Sequence, residues 1–373
     1  MRSLAFVALV VGALGLSCEP PAESFDFDRQ EVPVFERASL VPPTNPAPRE
    51  LRVMAWNVKY GAARIDFWFD YWGDRVQMTR TEVLGNLAAI ERLIDEYDPD
   101  VLLTEEIEVN SKRSAYVDMV QHVLDHTRLN YGAYFQTWAS RWIPSEGLGR
   151  MDLGNAIFSK YPITFAERIR QEDRTDQGAL TSTFYIHRAI GRALVKVGDR
   201  ELAFHVVHTE AYDQDGTKQK QIRQIHDVLA KETRPWLVGG DFNELPPTAL
   251  QLSGFDDESD KAKGTEFEQP PYTPAVMQPF FDEFVPAIPL AQYGTTLDAQ
   301  RRYFTHTVLG PGHVSAQTGK PGFWNRTLDH LFASKGTAFR DGDVLQTSGR
   351  QGVASDPLWL SDHAPVVGVW VLP

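Results

Sequence analysis

The sequence is almost free of cysteine. Cys18 is the single cysteine among 373 residues. Beyond that position the chain has no thiol nucleophile, no disulfide and no cysteine-based metal site. A catalytic centre in the rest of the chain must therefore use other side chains.

Basic residues are also few relative to acidic ones. Lys and Arg number 37 against 50 Asp and Glu, which gives a formal net charge of -13. This balance argues against broad binding to a phosphate backbone, because such binding depends on clustered Lys and Arg. It does not exclude a nuclease, since a hydrolase that binds divalent cations can carry excess carboxylate and let the metal supply the positive charge.

A long apolar run occurs at the N-terminus. Met1-Arg2-Ser3 precedes an almost wholly apolar stretch from Leu4 to Leu16, typical of a secretory signal and too short to span a bilayer comfortably. We predict a signal peptide over residues 1–17, of the lipoprotein type, with Cys18 lipidated and tethering an exported protein to the bacterial cell envelope. A plain signal peptide and a secreted protein are the alternative, because the Leu expected before the lipidated cysteine lies one position early.

A Pro-rich segment follows the apolar run. Residues 18–49 contain Pro20-Pro21, Pro42-Pro43 and Pro46-Ala47-Pro48. Such a composition cannot bury enough apolar surface to fold alone, so we predict a flexible tether. The chain shows no internal repeat and no second linker, which predicts one catalytic domain over residues 50–373. We infer no obligate protein partner and expect a monomer.

Apolar periodicity in this domain predicts strands and helices in alternation. Strand patterns are found at 51–58, 100–106, 202–208, 236–241 and 327–332, and each carries polar residues at or near one end. Helical spacing is found at 81–97, 114–124 and 217–231. Residues 254–300 are Pro-rich and aromatic, and we interpret them as a long surface excursion.

The stretch from Trp236 to Glu244 gives the clearest indication of a site. An apolar run meets two glycines and then places Asp241 and Asn243 two residues apart, on one face of an extended backbone. Glycines allow a sharp turn or a close approach to a ligand. The simpler interpretation is an acidic turn that closes a strand, because Asp, Asn and Gly are ordinary turn residues.

The order of the polar segments resembles that of the endonuclease/exonuclease/phosphatase superfamily. The segments that carry the resemblance are Trp56-Asn57, Pro99-Asp100 to Glu106, His208, Gly240-Asp241-Phe242-Asn243, Leu328-Asp329-His330 and Ser361-Asp362-His363-Ala364-Pro365. The resemblance runs from Leu51 onward, and G-D-x-N with S-D-H-x-P is its most specific part. It implies an α/β (α+β) fold, a four-layer sandwich of two facing mixed β-sheets flanked by helices.

The resemblance implies a metal site. Asn57 and Glu106 match the amide and the acid that hold a divalent ion, and Asp362 matches a further carboxylate close to it. Hard oxygen ligands of this kind suit Mg²⁺, with Mn²⁺ as a substitute. Glu105 stands where the family usually has Gln, and we assign the metal to Glu106. Lys59 stands where some abasic-site endonucleases carry an acid, which weakens that specific assignment.

The resemblance also implies catalytic roles. His363 matches the histidine that contacts the scissile phosphate or acts as a base, and Asp329 matches the acid that orients it. Asp241 matches the residue that positions or deprotonates the attacking water. Asn243 matches a donor to the phosphate oxygens, and His208 matches the histidine that would protonate the leaving oxygen.

Together these residues predict a metal-dependent phosphoesterase. In-line attack on a phosphoester requires a cation, hydrogen-bond donors and a proton, and the chain supplies each of them. The substrate could be nucleic acid, a phospholipid head group or a small phosphate ester, as diester or monoester, because one fold supports all of these. The alternative is a non-catalytic cell-surface binding module with a decayed hydrolase site. Three further histidines are interpreted as packing or surface residues: His205, His306 and His330.

Overall fold

The computed structural model describes residues 22, 24–68, 73–143, 147–212, 214–257, 274–316 and 318–373. The predicted signal peptide over residues 1–17 and the predicted lipidation site at Cys18 lie outside these residues. Among the helices of the described residues, none is both long enough and apolar enough to cross a membrane.

Strands and helices alternate along the described residues. The strands are β1 (Arg29–Glu31), β2 (Val34–Glu36), β3 (Glu50–Asn57), β4 (Val101–Glu108), β5 (Tyr131–Ile143), β6 (Gly149–Ser159), β7 (Ile163–Arg170), β8 (Ala189–Val197), β9 (Arg200–His208), β10 (Trp236–Asp241), β11 (Val285–Pro286), β12 (Asp329–Ala333), β13 (Ala338–Val344) and β14 (Val366–Val371). The α-helices are α1 (Arg80–Tyr97), α2 (Met119–His126), α3 (Ala179–Thr183), α4 (Thr217–Lys231), α5 (Gln278–Glu283), α6 (Leu290–Tyr293) and α7 (Leu297–Arg301).

The strands form two mixed sheets of seven strands each. Sheet I has the order β1-β7-β8-β9-β10-β12-β11, in which β9 and β10 are parallel neighbours. Sheet II has the order β13-β14-β3-β4-β6-β5-β2, in which β3 and β4 are parallel neighbours. Helix α1 connects β3 to β4, so these three elements form a βαβ unit, in line with the predicted alternation of strands and helices.

Side chains of the central strands alternate between the two faces of a sheet, and the apolar residues on one face pack between the two sheets. Leu51, Val53 and Ala55 of β3 belong to the same buried cluster as Phe204 of β9 and Leu237 of β10. The intervening residues of β3 pack on the opposite face of sheet II. Both faces of the central strands are therefore apolar, which places these strands inside the molecule.

Helices cover the two outer faces. Helix α1 packs on sheet II through residues such as Leu87 and Ile90, and α4 packs on sheet I through Ile222 and Ile225. The order helix, sheet II, sheet I, helix is the four-layer sandwich that the resemblance implied. Helix α1 begins at a capping box, in which Thr79 and Glu82 satisfy each other's backbone N–H groups.

The prediction of a flexible tether over residues 18–49 is wrong for part of that segment. Strand β1 pairs with β7 at the edge of sheet I, and β2 pairs with β5 at the edge of sheet II. Edge pairing satisfies backbone hydrogen bonds and needs little apolar surface, so composition alone did not reveal it. The folded domain therefore includes residues before position 50.

The region from 254 to 300 also differs from the predicted surface excursion. Helix α5 buries Phe280 against sheet I, and β11 pairs with β12 at the other edge of that sheet. Residues 258–273 of the region lie outside the described part of the chain.

The helix predicted over 114–124 begins only at Met119, because the Asp118 side chain accepts a hydrogen bond from the Gln121 N–H and caps the helix there.

Candidate active site

The candidate site lies where the apolar rows between the two sheets end in polar residues. Every second side chain of β3 and β4 points between the sheets, and Asn57 and Glu105 occupy the last of these inward-facing positions. On β9 and β10, the corresponding last positions are occupied by His208 and Asp241. Strand β12 runs the opposite way and begins with Asp329. Strand alternation alone thus brings these five side chains to one end of the core.

Strand register then sets these residues side by side. On sheet II, Asn57 is the direct partner of Glu105. On sheet I, Asp241 lies between His208 on one side and Asp329 on the other. Carboxylates directly opposite each other repel. The row on sheet I is therefore stable only with positive charge or a shared proton close by.

His363 supplies this charge from the segment that precedes β14. The Trp56 Nε1–H donates to the His363 carbonyl oxygen at 2.8 Å and so fixes the backbone there. Nδ1 of His363 lies 2.8 Å from Oδ2 of Asp329, and Nε2 lies 3.6 Å from Oδ2 of Asp241. One imidazole thus faces both carboxylates of the row.

Asp241 is the centre of the arrangement. Its Oδ2 atom accepts a hydrogen bond from Asn57 Nδ2 at 3.3 Å and lies 3.4 Å from His208 Nε2. Its other oxygen accepts the backbone N–H of Asn243 at 2.8 Å. Nitrogen atoms from both sheets therefore converge on one buried carboxylate.

Burial and neighbouring charges set the protonation states. Burial raises the pKa of Asp241 to about 7, where His363 opposes the rise and Asp329 adds to it. Burial by itself lowers the pKa of His363, but Asp329 and Asp241 outweigh it and raise that pKa to about 10. His363 is therefore an imidazolium at neutral pH.

His208 differs from His363 in its protonation state. Burial lowers its pKa well below the usual range, and the positive charges of Arg188 and His363 lower it further. His208 is therefore neutral at neutral pH.

A bulge in β4 directs the side chains of the adjacent acids Glu105 and Glu106 to different places. The register shifts between Thr104 and Ile107, and Glu106 takes a positive φ of 58° at that point. A bulge redirects a side chain, and Glu106 lines the central cavity with its carboxylate 3.2 Å from Asn57 Nδ2. The strand geometry thus directs Glu106 to the cavity.

Glu105 points between the sheets and is completely buried. Its two carboxylate oxygens find no hydrogen-bond partner among the described residues. Burial raises the pKa of Glu105 well above its usual value, and the charges of Asp329 and Asp241 add to the rise. Glu105 is therefore a neutral acid behind the site.

Asp362 lines the cavity together with Glu106 and a lysine. Lys59 Nζ lies 3.4 Å from Asp362 Oδ2, and both side chains line the cavity. Burial opposes ionisation of Asp362, but Lys59 and His363 outweigh it and hold the pKa below its usual value. Asp362 is therefore a carboxylate.

These residues form one end of a cavity of about 700 Å³. Asp241, His363 and Glu106 are part of its wall, and the wall also includes large apolar side chains such as Trp138, Leu148 and Phe184. Pockets of this size hold small ligands or parts of larger ones. The polar cluster is therefore accessible to a ligand from the cavity.

Comparison with known proteins agrees with this geometry. The model of the endonuclease/exonuclease/phosphatase family matches residues 54–363. The chain belongs to this family. No protein of curated function matches the chain in sequence.

Solved structures of endonuclease/exonuclease/phosphatase proteins share the fold. One from Beutenbergia cavernae is 18% identical, with a TM-score of 0.51 over 87% of this chain and 72% of that chain. A family protein from Leptotrichia buccalis is 14% identical, with a TM-score of 0.50 over 85% of this chain and 98% of that chain. At these identities the likeness shows the fold alone.

The acids of this family member could hold a divalent ion. Glu106 and Asp362 line the same cavity and offer carboxylate oxygen donors of the kind that Mg²⁺ prefers. The negative charge of Asp362 raises the pKa of Glu106, and a cation nearby would relieve this repulsion. Two overlapping groups at the site also have suitable spacing, namely His306 with Asp362 and His363, and Asp241 with Asp329 and His363.

The two amides of the site form hydrogen bonds with other groups of the protein. Asn57 turns its Nδ2 atom towards Glu106 and Asp241, and its Oδ1 atom accepts the Lys59 backbone N–H at 3.0 Å. Asn57 thus presents a donor, not a ligand oxygen, to the carboxylates. Asn243 lines the cavity, but its Nδ2 atom donates to the Thr209 carbonyl at 3.0 Å.

His306 belongs to the site, contrary to its interpretation as a packing or surface residue. Its ring centroid lies 4.4 Å from that of His363, and it lines the cavity. The long separation in sequence gave no signal of this contact, which depends on a backbone bridge between the two histidines. His205 and His330 are buried, in line with a packing role.

Proposed function

We propose that this protein is a metal-dependent phosphoesterase that hydrolyses a phosphodiester or phosphomonoester by attack of water. The observation that supports this most strongly is the Asp241 carboxylate, which lies beside the His363 imidazolium in the wall of a cavity that also contains Glu106 and Asp362. Phosphoryl transfer needs a proton acceptor, a proton donor and positive charge in one place. This cavity wall offers groups for each.

Glu106 and Asp362 are the residues that would hold the ion. Their oxygen atoms suit Mg²⁺, with Mn²⁺ as a substitute, better than they suit zinc. When bound, such an ion supplies positive charge that stabilises the phosphoryl oxygens. Asn57 would act behind these groups, since its amide donates to both Glu106 and Asp241 and fixes their separation.

The chain's own groups account for the proton transfers. Asp241 accepts a proton from the attacking water, for which a pKa raised to about 7 is well matched. The bond from the water oxygen to phosphorus forms as the ester P–O bond breaks. The His363 imidazolium donates its proton to the departing oxygen, and Asp329 holds the ring in place. Neutral His208, whose Nε2 atom lies 3.4 Å from Asp241 Oδ2, packs beside this carboxylate and helps to keep it oriented.

A substrate panel tests this function. Nucleic acids, phospholipids, inositol phosphates and sugar phosphates are assayed with Mg²⁺ or Mn²⁺ and then with EDTA, alongside the His363→Ala variant. We expect at least one class to be hydrolysed with metal, to resist hydrolysis in EDTA, and to be hydrolysed again when Mg²⁺ is restored. If no activated diester or monoester is hydrolysed with either ion, the non-catalytic binding module becomes the better account.

We also propose that the protein is exported and anchored through Cys18. The support is the apolar run from Leu4 to Leu16, which is separated from this cysteine only by Ser17. Expression of the full chain in a bacterial host, followed by membrane fractionation, tests it. The wild type is expected in the membrane fraction and Cys18→Ser in the soluble fraction. Equal distribution of the two proteins would contradict the anchor.

A further inference from the structure

Part of the cavity lining is built from large apolar side chains. This part is formed by the β5–β6 hairpin and by the segment around α3, and its members include Trp138, Ile143, Leu148, Leu153, Leu180 and Phe184. We call these six residues the apolar wall. Three of them, Ile143, Leu148 and Leu153, are almost fully buried even though the cavity lies beside them. The apolar wall is therefore a formed surface continuous with the domain's interior.

Helix α3 presents apolar surface that the domain itself does not cover. None of its residues is buried, and Leu180 is 77% exposed while lining the cavity. The segment is nevertheless held in place, since the Trp138 Nε1–H donates to the Phe184 carbonyl oxygen at 2.9 Å. An exposed apolar patch beside a reaction centre is typical of a ligand-binding surface.

Two further large side chains extend this surface to the cavity mouth. Trp68 and Tyr212 line the cavity and are 41% and 39% exposed. Together with Leu180 they form an apolar rim around the opening. The apolar part of the lining therefore includes side chains that are open to solvent.

The positive charges along the cavity are paired with acids of the domain. Arg113 makes a 2.7 Å ion pair with Glu108, and Arg188 lies 3.8 Å from Glu210. A polyanion such as nucleic acid draws its affinity from rows of available Lys and Arg. The pairing, with the net charge of -13, favours a ligand whose single phosphate binds at the polar end and whose remainder is apolar.

We propose that the apolar wall binds the hydrocarbon chain of an amphiphilic phosphate ester, while the phosphate lies at Asp241 and His363. This inference rests on the proposed function and specifies its substrate class. The aliphatic residues of the wall match an alkyl chain, which needs no hydrogen-bond partners. The rim at the mouth is placed to contact the apolar region of a lipid assembly from which such an ester would come.

The proposal is tested by varying the length of the alkyl chain in the substrate. Two homologous series are assayed below their micelle concentrations with Mg²⁺: p-nitrophenyl alkyl phosphates, followed by p-nitrophenolate release, and alkyl phosphates, followed by phosphate release. Methyl, butyl, octyl and dodecyl esters are compared in each series. Burial of methylene groups predicts that kcat/KM rises by roughly fourfold for each methylene until the wall is filled.

Matched variants assign the effect to the wall. Leu180→Ser is expected to lower the ratio of kcat/KM for the dodecyl and methyl esters by about tenfold. Leu250→Ser is the control, because Leu250 is 53% exposed but does not line the cavity, and it should keep the wild-type ratio. Both positions are at the surface, so neither substitution should impair folding.

The outcomes separate this inference from the function on which it rests. Hydrolysis of the methyl esters with no gain from longer chains would overturn the apolar wall as a chain-binding site and leave the phosphoesterase intact. A higher kcat/KM for an oligonucleotide than for the dodecyl esters would also overturn it, in favour of a nuclease. Failure to hydrolyse any ester of either series, with nucleic acids and sugar phosphates equally resistant, would reject the function itself.

Discussion

His363 and Asp329 form a hydrogen bond of 2.8 Å between two sheets. Asp329 begins β12 of sheet I, whereas His363 precedes β14 of sheet II. The contact therefore depends on the packing of the whole sandwich. It fixes the imidazole with one nitrogen on Asp329 and leaves the other facing Asp241.

Replacing Asp329 by Asn is expected to lower the pKa of His363 and the rate of hydrolysis. The Asp329 charge raises that pKa against burial, so without it the imidazolium loses its proton at lower pH. We expect kcat/KM to fall by about 10²–10⁴-fold. The pKa is measured by NMR titration of the metal-free protein. An unchanged titration of His363 in Asp329→Asn would contradict the proposed role of this hydrogen bond.

Replacing Asp241 by Asn is expected to stabilise the metal-free protein at pH 8. The pKa of Asp241 is raised to about 7 by burial, so its ionisation destabilises the folded state progressively as pH rises from about 4 towards 7. An amide of the same shape avoids this cost. We expect a gain of about 0.5–2 kcal/mol in the free energy of unfolding at pH 8 and none near pH 4.

Urea denaturation in EDTA at the two pH values measures this gain. Asp199→Asn is the control, because Asp199 is an exposed residue between β8 and β9. Its stability should follow that of the wild type at both pH values. Lower stability of Asp241→Asn at pH 8 would show that its contacts with Asn57, His208 and His363 outweigh the burial of its charge.

Glu105→Gln and Glu106→Gln are expected to behave very differently, although the residues are adjacent. Glu105 is a buried neutral acid behind the site, so an amide of equal size should leave activity close to the wild-type value. Glu106 faces the cavity, and its amide should raise the Mg²⁺ concentration for half-maximal activity by about 10–100-fold. Activity measured across a Mg²⁺ titration distinguishes them. The reverse order would place the metal at Glu105.

Strand alternation and local motifs made much of the site predictable. Asn57, His208 and Asp241 each end a strand whose apolar residues recur every second position, so their shared location follows from the pattern and the parallel order of strands. The helix predicted over 217–231 is confirmed for the same reason. These features depend on residues close together in sequence.

Features that depend on contacts between residues far apart in the sequence could not be predicted from the sequence. The bulge at Glu106 arises from the register between β4 and β6. The edge strand at Arg29–Glu31 exists because the free edge of β7 lies beside it. The contact of His306 with His363 and the neutral state of His208 depend on burial within the assembled sandwich. Each of these features could be recognised only in the folded structure.

The most direct test of the account is hydrolysis as a function of free Mg²⁺ in the wild type and in Asp241→Asn. We expect saturable activation by Mg²⁺ in the wild type, and a loss of about 10³-fold or more in Asp241→Asn while the protein remains folded. Undiminished hydrolysis in EDTA would contradict the metal dependence. Wild-type rates in Asp241→Asn would show that the reaction centre lies elsewhere.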